Sequence, residues 1–528
     1  MTTAKPKVLI SDKMSPQAEA IFVARGVDVT VKTDLKPEEL RLEIANYDGL
    51  AIRSSTKVTA EILQGAKNLK VIGRAGIGVD NVDVPAATQT GVVVMNTPFG
   101  NSITTAEHTI ALLMALARDI PQANASTHAG KWEKAKFMGQ ELFGKTLGVI
   151  GCGNIGAIVA DRAIGLKMKV VAYDPFLSDE RAIEIGVEKV ELDDVFKRAD
   201  FITIHTPMTE KTKGIINASA IAKMKKGVRL INCARGGLIV EADLKAALDS
   251  GHVAGAALDV FEVEPAKENA LFNHPKVVCT PHLGASTVEA QENVALQVAE
   301  QMSDFLLQGA VSNAVNMPSV SAEDAPKLKP YMRLAEQLGS FAGQLAKTDA
   351  KEIQIEYEGL VAGVNTKPLT ALVLSGFLKP SMEGVNIVSA PARAKERGIT
   401  IAETKRDKAQ NYQTVIRVTV KDKDGQTSIA GTIFDDRPRV IDIDGVPTEA
   451  SLNKEMLYVL NLDKPGLIGA VGTILGTNNI NISDFNLGRI PGKDRAIALI
   501  SVDGYIPEAI VEKIKQITQV ERVKVLRF

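Results

Sequence analysis

Four polar residues follow four apolar, β-branched runs in the middle of this 528-residue chain: Thr206 after FITIH, Arg235 after VRLINCA, Asp259 after GAAL and His282 after VVCTP. In a parallel sheet the carboxyl ends of the strands open onto one crevice, and ligands bind there. The imidazole of His282 can accept the proton of an alcohol. Arg235, followed by two glycines in CARGG that let substrate and cofactor approach, can grip a carboxylate through two parallel bonds. His282 is expected just before a helix N-terminus, whose partial positive charge disfavours imidazolium, so this base needs a carboxylate beside it. Glu264 in DVFEVEP, its loop stiffened by Pro265, meets that need best; Glu262 is the alternative, on the other side of the two-residue alternation. The set implies alcohol oxidation, with a proton passing to His282 and a hydride to a nicotinamide.

The hydride acceptor has its own signature. In VIGCGNIG, Gly151, Gly153 and Gly156 form G-x-G-x-x-G between an apolar run and a helical pattern, and Asp174 ends the next run, KVVAYD. The first glycine makes the turn, the second lets the backbone approach a pyrophosphate, and the third packs helix on strand. Asp174, near the ~20-residue offset expected for a ribose ligand, would bond the 2′-hydroxyl and repel a 2′-phosphate, favouring NAD over NADP. Upstream, Arg53 ends GLAIR and Arg74 ends KVIGR, so both fall at one edge of an earlier sheet. The Gly76-Ile77-Gly78 turn after Arg74 offers backbone N–H groups to an anion. Two arginines and such a nest suit a substrate with two anionic groups, such as a carboxylate and a phosphate. Each feature has a plainer meaning taken alone: a tight turn, a surface ion pair, a solvated loop carboxylate, two exposed arginines. His108 reads as helix packing, His128, His252 and His274 as helix ends or loops, and His205 as a strand-end neighbour of Thr206.

These residues need elements to position them. From Lys7 to about Thr97, VLIS, VDVTV, GLAIR, KVIGRA and VVVMN alternate with helical patterns, the mark of a parallel sheet with crossovers. Asn101 to Ala117 reads as a long helix. Six further strand candidates, TLGVIG, KVVAYD, FITIHT, VRLINC, GAALDV and VVCTPH, match a doubly wound dinucleotide domain. Ser286 and Glu289 form a capping box for the next helix, which runs to about Leu307. GAVSNAVNMPSVSAEDAP then reads as a linker, and about Lys327 to Pro447 as a mixed region with strands in VIRVTV and TSIAGTIF. The last 75 or so residues follow the order β-α-β-β-α-β, the ferredoxin-like pattern. So small a unit would bury its sheet better as a pair, which points to a dimer-forming module.

Composition narrows the class. Lys and Arg total 62 against 63 Asp and Glu, so nothing calls for nucleic acid or an anionic membrane. The three cysteines, Cys152, Cys233 and Cys279, have neither a pairing pattern nor metal-ligand spacing, which suits a reducing cytoplasm and no metal. The start, MTTAKPKVLI, lacks the features of a secretory or transit peptide. No apolar run approaches the ~18 residues of a membrane span.

Taken together, GRAGIGVDNVD, the glycine loop with YDP, HTP, NCARGG, ALDVFEVEP and PHLGAST resemble the D-isomer-specific 2-hydroxyacid dehydrogenases, densely over about residues 5–312. The remainder resembles the long form that acts on 3-phosphoglycerate and carries an intervening regulatory domain and a C-terminal ACT domain. The resemblance implies an α/β architecture of two doubly wound parallel-sheet lobes, a Rossmann-type cofactor domain and a flavodoxin-like substrate domain. An α+β intervening domain and a ferredoxin-like ACT domain follow. It implies a substrate domain over 1–98, completed by 286–312, an NAD domain over 99–285, an intervening domain over 313–452 and an ACT domain over 453–528, with hinges near 98–100 and 285–287.

The implied activity is NAD-dependent oxidation of 3-phosphoglycerate to 3-phosphohydroxypyruvate, the first step of L-serine biosynthesis. Arg235, Glu264 and His282 are the implied catalytic set. Implied cofactor contacts are Gly151, Gly153, Asn154, Ile155 and Gly156 in the loop and Asp174 beyond it. Along the strand ends they are Thr206, Cys233, Ala234, Arg235, Asp259, His282 and Gly284. Implied substrate contacts are Arg53, Arg74, Gly76, Ile77 and Asn101, with Lys134 reaching in from a neighbouring subunit of a homotetramer. In the tail, Asp463 and Asn481 are implied to hold L-serine as a feedback inhibitor. Two other readings fit parts of the pattern: a dehydrogenase of an unphosphorylated acid such as glycerate or lactate, and a redox-sensing transcriptional corepressor on the same fold. Arg53 with Arg74 weighs against the first, and the ACT-like tail weighs against both.

Overall fold

A computed structural model describes residues 5–320, 323–346, 350–409, 411–423, 425–489, 492 and 494–528. Four sheets follow one another along the chain. The first is wholly parallel and runs in space Asp28–Val31, Lys7–Ile10, Gly49–Ile52, Val71–Arg74, Val93–Met95. This is the flavodoxin-like order, whose switch point lies between the first and third strands in sequence. Asp12 and Arg53 stand just beyond the ends of those two strands, and Arg74 ends the next.

The second sheet is also wholly parallel: Val277–Cys279, Val253–Leu258, Val228–Asn232, Phe201–Ile204, Thr146–Ile150, Lys169–Tyr173, Glu188–Lys189. All six expected strands are present in the Rossmann order. The edge strand Glu188–Lys189 is an addition that its two exposed, charged residues did not announce. The switch point lies between Thr146–Ile150 and Phe201–Ile204, with Gly151 after one and Thr206 after the other.

The long helix appears as Ser102–Arg118, and the later one as Val288–Gln308. Two expectations are corrected here. The cap of the later helix is Thr287, whose hydroxyl accepts from Ala290 N at 3.2 Å, because Thr287 has the extended backbone an N-cap needs. Ser286 instead closes a turn, donating its N–H to Leu283 O. Because the helix begins at Val288, His282 does not lie at its N-terminus, and the dipole effect, confined to the first turn, does not bear on it. The helix returns to the first lobe, where Val298 and Met302 pack in the same core as Val8, Val71 and Val93; Met302 Sδ lies so near Gly73 that a Cβ there would come within 2.2 Å.

The expected linker is not free either. Val311 bridges to Val320 and Met95 to Ala314. Asn316 accepts from Val94 N at 2.9 Å and donates to Val92 O, while Val315 N donates to Val94 O at 2.8 Å. The segment therefore occupies the open edge of Val93–Met95 and satisfies its backbone groups.

The third sheet runs Thr400–Arg406, Glu352–Gly359, Thr414–Asp422, Gly425–Phe434, Arg437–Ile443, Val446–Ser451, with only the first pair parallel. The sequence marked two of these six strands. The fourth sheet runs Asn481–Arg489, Arg495–Asp503, Glu455–Leu462, Val520–Arg527, all antiparallel, with helices Leu467–Thr477 and Glu508–Lys515. This is the expected ferredoxin-like unit. Its helices share one core with Leu457, Val459, Ala498 and Ile500. Residues of the other face, Met456, Tyr458, Ile497, Leu499 and Leu526, join the core of the helix Asp324–Leu345. Phe341 meets Tyr458 and Phe528 edge-on, with centroids 6.4 and 5.9 Å apart. Arg522 and Lys524 donate to Leu345 O and Gln344 O, satisfying the last carbonyls of that helix. The reason given for pairing, an uncovered sheet, is thus met within one chain.

Phe341 is fully buried, and Phe341→Ala is expected to cost about 3–5 kcal/mol. Calorimetry should show the loss in the transition of the C-terminal sheet, with NADH binding unchanged. A C-terminal transition that stays in place would mean that this helix does not cover the sheet in solution.

Candidate active site

The carboxyl ends of the second sheet carry the expected cluster. His282 lies three residues past Val277–Cys279, with φ 56°. Its backbone N–H donates to Asp259 O at 2.9 Å, and its Nδ1 lies 2.6 Å from Glu264 Oε2. Beside a carboxylate, Nδ1 must carry the hydrogen, which leaves Nε2 as the free basic nitrogen. Glu264 Oε1 accepts from Phe261 N at 3.0 Å. Glu262 turns to Glu241 through its backbone N–H, so of the two carboxylates Glu264 is the partner. Burial pushes the Glu264 carboxyl up. The bonds from His282 and Phe261 N and the charges of His282 and Arg235 outweigh it, and the group sits below its ordinary value.

The loop that holds His282 is built on Asp259. Its carboxylate is fully buried and accepts from Thr280 Oγ1 at 2.5 Å, Leu283 N at 2.7 Å and Gly284 N at 2.8 Å. His108 Nε2 stands 3.2 Å from Asp259 Oδ1. Burial raises this carboxyl, but bonds from His108, Thr280 and Leu283 bring it below its ordinary value. Thr105, one turn before His108, donates to Gly284 O at 2.9 Å. Helix packing was the expectation for His108; its bond to Asp259 corrects it. Nothing in the sequence joined the two, because they are far apart in the chain and meet only through the helix crossing.

Arg235 Nη1 donates to Ala234 O at 2.7 Å, and its Nε to Asp80 Oδ2 at 2.9 Å. Asn232 holds the CARGG turn, accepting from Ala234 N and donating to Arg235 O. Cys233 is buried and its thiol is pushed up to about 12 by burial, which makes it a packing group rather than a nucleophile. In the first lobe, Asp12 fixes Arg53 by accepting from its N–H at 2.6 Å. Burial, then the charge of Arg235, lowers Arg74 to about 10. Arg53, Arg74 and Arg235 thus converge across the two lobes. Of the anion nest, Gly76 N is already spent on Thr97 Oγ1 at 2.6 Å.

The glycine loop has the form expected for a pyrophosphate cradle. Gly151 has φ 91°; a Cβ on Gly156 would lie 2.0 Å from Gly151 O, whereas one on Gly153 would point into open space. Asp174 accepts from Cys152 N and Phe176 N, both at 2.8 Å, and so braces the loop. A cavity of about 680 Å³ beside it is lined by Phe99, Ile103, Gly153, Asn154, Ile158 and Arg181. Asn154 opens the helix Asn154–Gly165, and Ile155 follows it in the first turn. Several buried polar atoms without a partner belong to residues already expected at the cleft: Thr206 Oγ1, Asn101 Oδ1 and Arg74 Nε. His205 Nδ1 is another, and burial lowers that ring to about 4. Unpaired buried groups are costly, and here they suit a polar ligand such as a dinucleotide.

Three expected residues stand apart. Lys134 is exposed in the short turn Lys134–Lys136. Asp463 pairs with Arg489 Nε at 3.2 Å, and Asn481 donates to Asp503 at 2.7 Å, so within one chain each has its own partner.

Known proteins extend this picture. Three family models match in order: the D-isomer specific 2-hydroxyacid dehydrogenase NAD binding domain over residues 110–284, the D-3-phosphoglycerate dehydrogenase intervening domain over 327–444, and the ACT domain over 456–519. The D-3-phosphoglycerate dehydrogenase of Bacillus subtilis is 43% identical over 98% of this chain and 99% of its own. That of Archaeoglobus fulgidus is 44% identical over 96% and 98%. Among solved structures, a glyoxylate reductase from Paecilomyes thermophila is similar at 29% identity and TM-score 0.55, covering 59% of this chain and 99% of that one. A D-lactate dehydrogenase from Aquifex aeolicus, complexed with NAD and lactic acid, is similar at 26% identity and TM-score 0.52, with 59% and 100% covered. The loop, the strand-end cluster and near-full-length similarity agree: the chain belongs to the D-3-phosphoglycerate dehydrogenase family of NAD-dependent D-isomer specific 2-hydroxyacid dehydrogenases.

Proposed function

We propose that the protein oxidises 3-phosphoglycerate to 3-phosphohydroxypyruvate, the opening step of L-serine biosynthesis, in a reducing cytoplasm. The observation that carries this is the His282–Glu264 pair, 2.6 Å apart, facing a cleft in which Arg53, Arg74 and Arg235 gather. NAD, when bound along the Gly151–Gly156 loop, supplies the hydride acceptor. Asn154 and Ile155 at the helix start, Asp174, Thr206, Ala234 with Cys233, Asp259 and Gly284 line its path. His282 Nε2 takes the hydroxyl proton, and Glu264 stabilises the imidazolium that results. Arg235 grips the carboxylate. Arg53 and Arg74, with Ile77 and Asn101 beside the Gly76 turn, hold the phosphate end, and Lys134 of a neighbouring copy adds a positive charge. Four successive sheets support a division into substrate, NAD, intervening and ACT domains. A homotetramer, and inhibition by L-serine at Asp463 and Asn481 across paired ACT domains, complete the proposal.

The first test is NADH consumption with phosphohydroxypyruvate, hydroxypyruvate and pyruvate, with and without L-serine. A strong preference for the phosphorylated acid is expected, and equal use of all three would remove Arg53 and Arg74 from phosphate binding. Serine should slow the wild type but not Asp463→Ala; equal inhibition of both would refute that effector site. Arg235→Lys should fold normally yet lose about 100-fold in kcat/KM, since an ammonium cannot reproduce the bidentate grip.

Glu264→Gln removes the charge that stabilises imidazolium. In reduction His282 must be protonated, so the high-pH limb of kcat/KM should move to lower pH, with the maximal rate down on the order of 10²-fold. A pH profile that keeps its limb in place would remove Glu264 from this role.

A further inference from the structure

The turn after the Gly76-Ile77-Gly78 segment carries two side chains that the proposed mechanism does not use. Asp80 Oδ2 accepts from Arg235 Nε at 2.9 Å, so this arginine of the second lobe touches an acid of the first. Asn81 Nδ2 donates to Arg53 O at 2.7 Å and Thr56 O at 2.6 Å. Asp12 in turn accepts from Arg53 N, Thr56 N and Thr56 Oγ1. Asp80 is therefore mounted on a braced turn, tied to the loop that presents Arg53.

The geometry at Arg235 is selective. Nε is engaged by Asp80 and one Nη1 hydrogen by Ala234 O. Nη2 lies over Gly78, where a Cβ would come within 1.8 Å of it, and among the described residues no hydrogen-bond acceptor is recorded for it. The guanidinium is thus held on both flanks, at Nε and at Nη1, and its Nη1–Nη2 end is left for an anion. The charges matter as well. Arg235 and Arg53 both bear on the buried Arg74, and Asp80 and Asp12 are the acids that oppose them. The Asp80 side chain is 70% exposed, and an ion pair so exposed contributes little to stability. Its effect should be read in function.

We propose that Asp80 is a positioning residue: it holds the Nε–H of Arg235 across the boundary between the lobes, so that the Nη1–Nη2 end meets the substrate carboxylate and stays apart from Arg74. This rests on the reading that Arg235 grips the substrate. Nothing in the chemistry of the step changes. What changes is the fraction of time Arg235 spends in the gripping geometry.

The test uses the full-length protein with NADH and phosphohydroxypyruvate, comparing Asp80→Ala, Asp80→Asn, Arg235→Lys and the double variant Asp80→Ala/Arg235→Lys. Asp80→Ala should raise KM and lower kcat/KM by about 10-fold, the size of an ordinary coupling between contacting groups. NADH binding, read by fluorescence, and thermal unfolding should stay at wild-type values. Asp80→Asn keeps an acceptor oxygen without the charge and should recover part of the loss; it also serves if the alanine variant folds poorly. In the Arg235→Lys background the Asp80→Ala loss should shrink. A wild-type kcat/KM for Asp80→Ala while Arg235→Lys is impaired would overturn the role of Asp80 and leave Arg235 in place. A loss that persists undiminished in the double variant would also overturn it, since Asp80 would then act through another group. Near wild-type activity of Arg235→Lys would instead overturn the reading of Arg235 on which this rests.

Discussion

A carboxylate without water must be given partners, and Asp259 is where this protein meets that demand. Its oxygens draw in the hydroxyl of Thr280 and the backbone N–H groups of Leu283 and Gly284, which bends the loop after the last strand back on itself. His282 sits at the apex of that bend, in a left-handed backbone that few residues adopt without support. The same carboxylate takes a bond from His108 on the long helix between the lobes, and Thr105 on that helix holds Gly284 O. The orientation of His282 and the seating of the inter-lobe helix are therefore one solution to one desolvation problem.

The second constraint is charge. Three guanidinium groups brought to one cleft repel each other, and Arg74 registers this together with its burial. The protein tolerates the arrangement because acids stand behind the arginines, Asp12 at Arg53 and Asp80 at Arg235. An anionic substrate relieves what remains. The field of the three arginines thus favours an anionic ligand in the cleft. Both sheets aim the carboxyl ends of their strands at this volume, so the positive groups and the glycine loop arrive there by topology alone.

Much of this was legible in the chain. Parallel strands buried on both faces read as near-continuous apolar runs, and eleven of the twelve strands in the two lobes were marked in the sequence; shortness and charge hid the twelfth, Glu188–Lys189. Polar residues at run ends marked the cleft, since a strand's end is the only place such a run can expose one. What stayed hidden depended on contacts between distant segments. His108 looks like any helix residue until Asp259 is placed beside it. Asp80 sits in a motif already explained by its glycines. The cap moved from Ser286 to Thr287 because two hydroxyl residues adjoin, and only the backbone angles choose between them. The antiparallel strands of the third sheet, rich in charged and small residues, gave a weaker alternation than the parallel ones.

The strap formed by Val311 to Val320 has a consequence for anyone dividing this chain. Every group of the cleft lies before Gln308, and that helix looks like a natural place to stop. Cutting there would strip Val315 and Asn316 from the strand Val93–Met95 and bare the N–H and C=O of Val94. An uncovered edge of three buried, β-branched or flexible apolar residues invites another copy to pair with it. The two-lobed half of the protein is chemically complete at Gln308 but not colloidally safe until the strap is included.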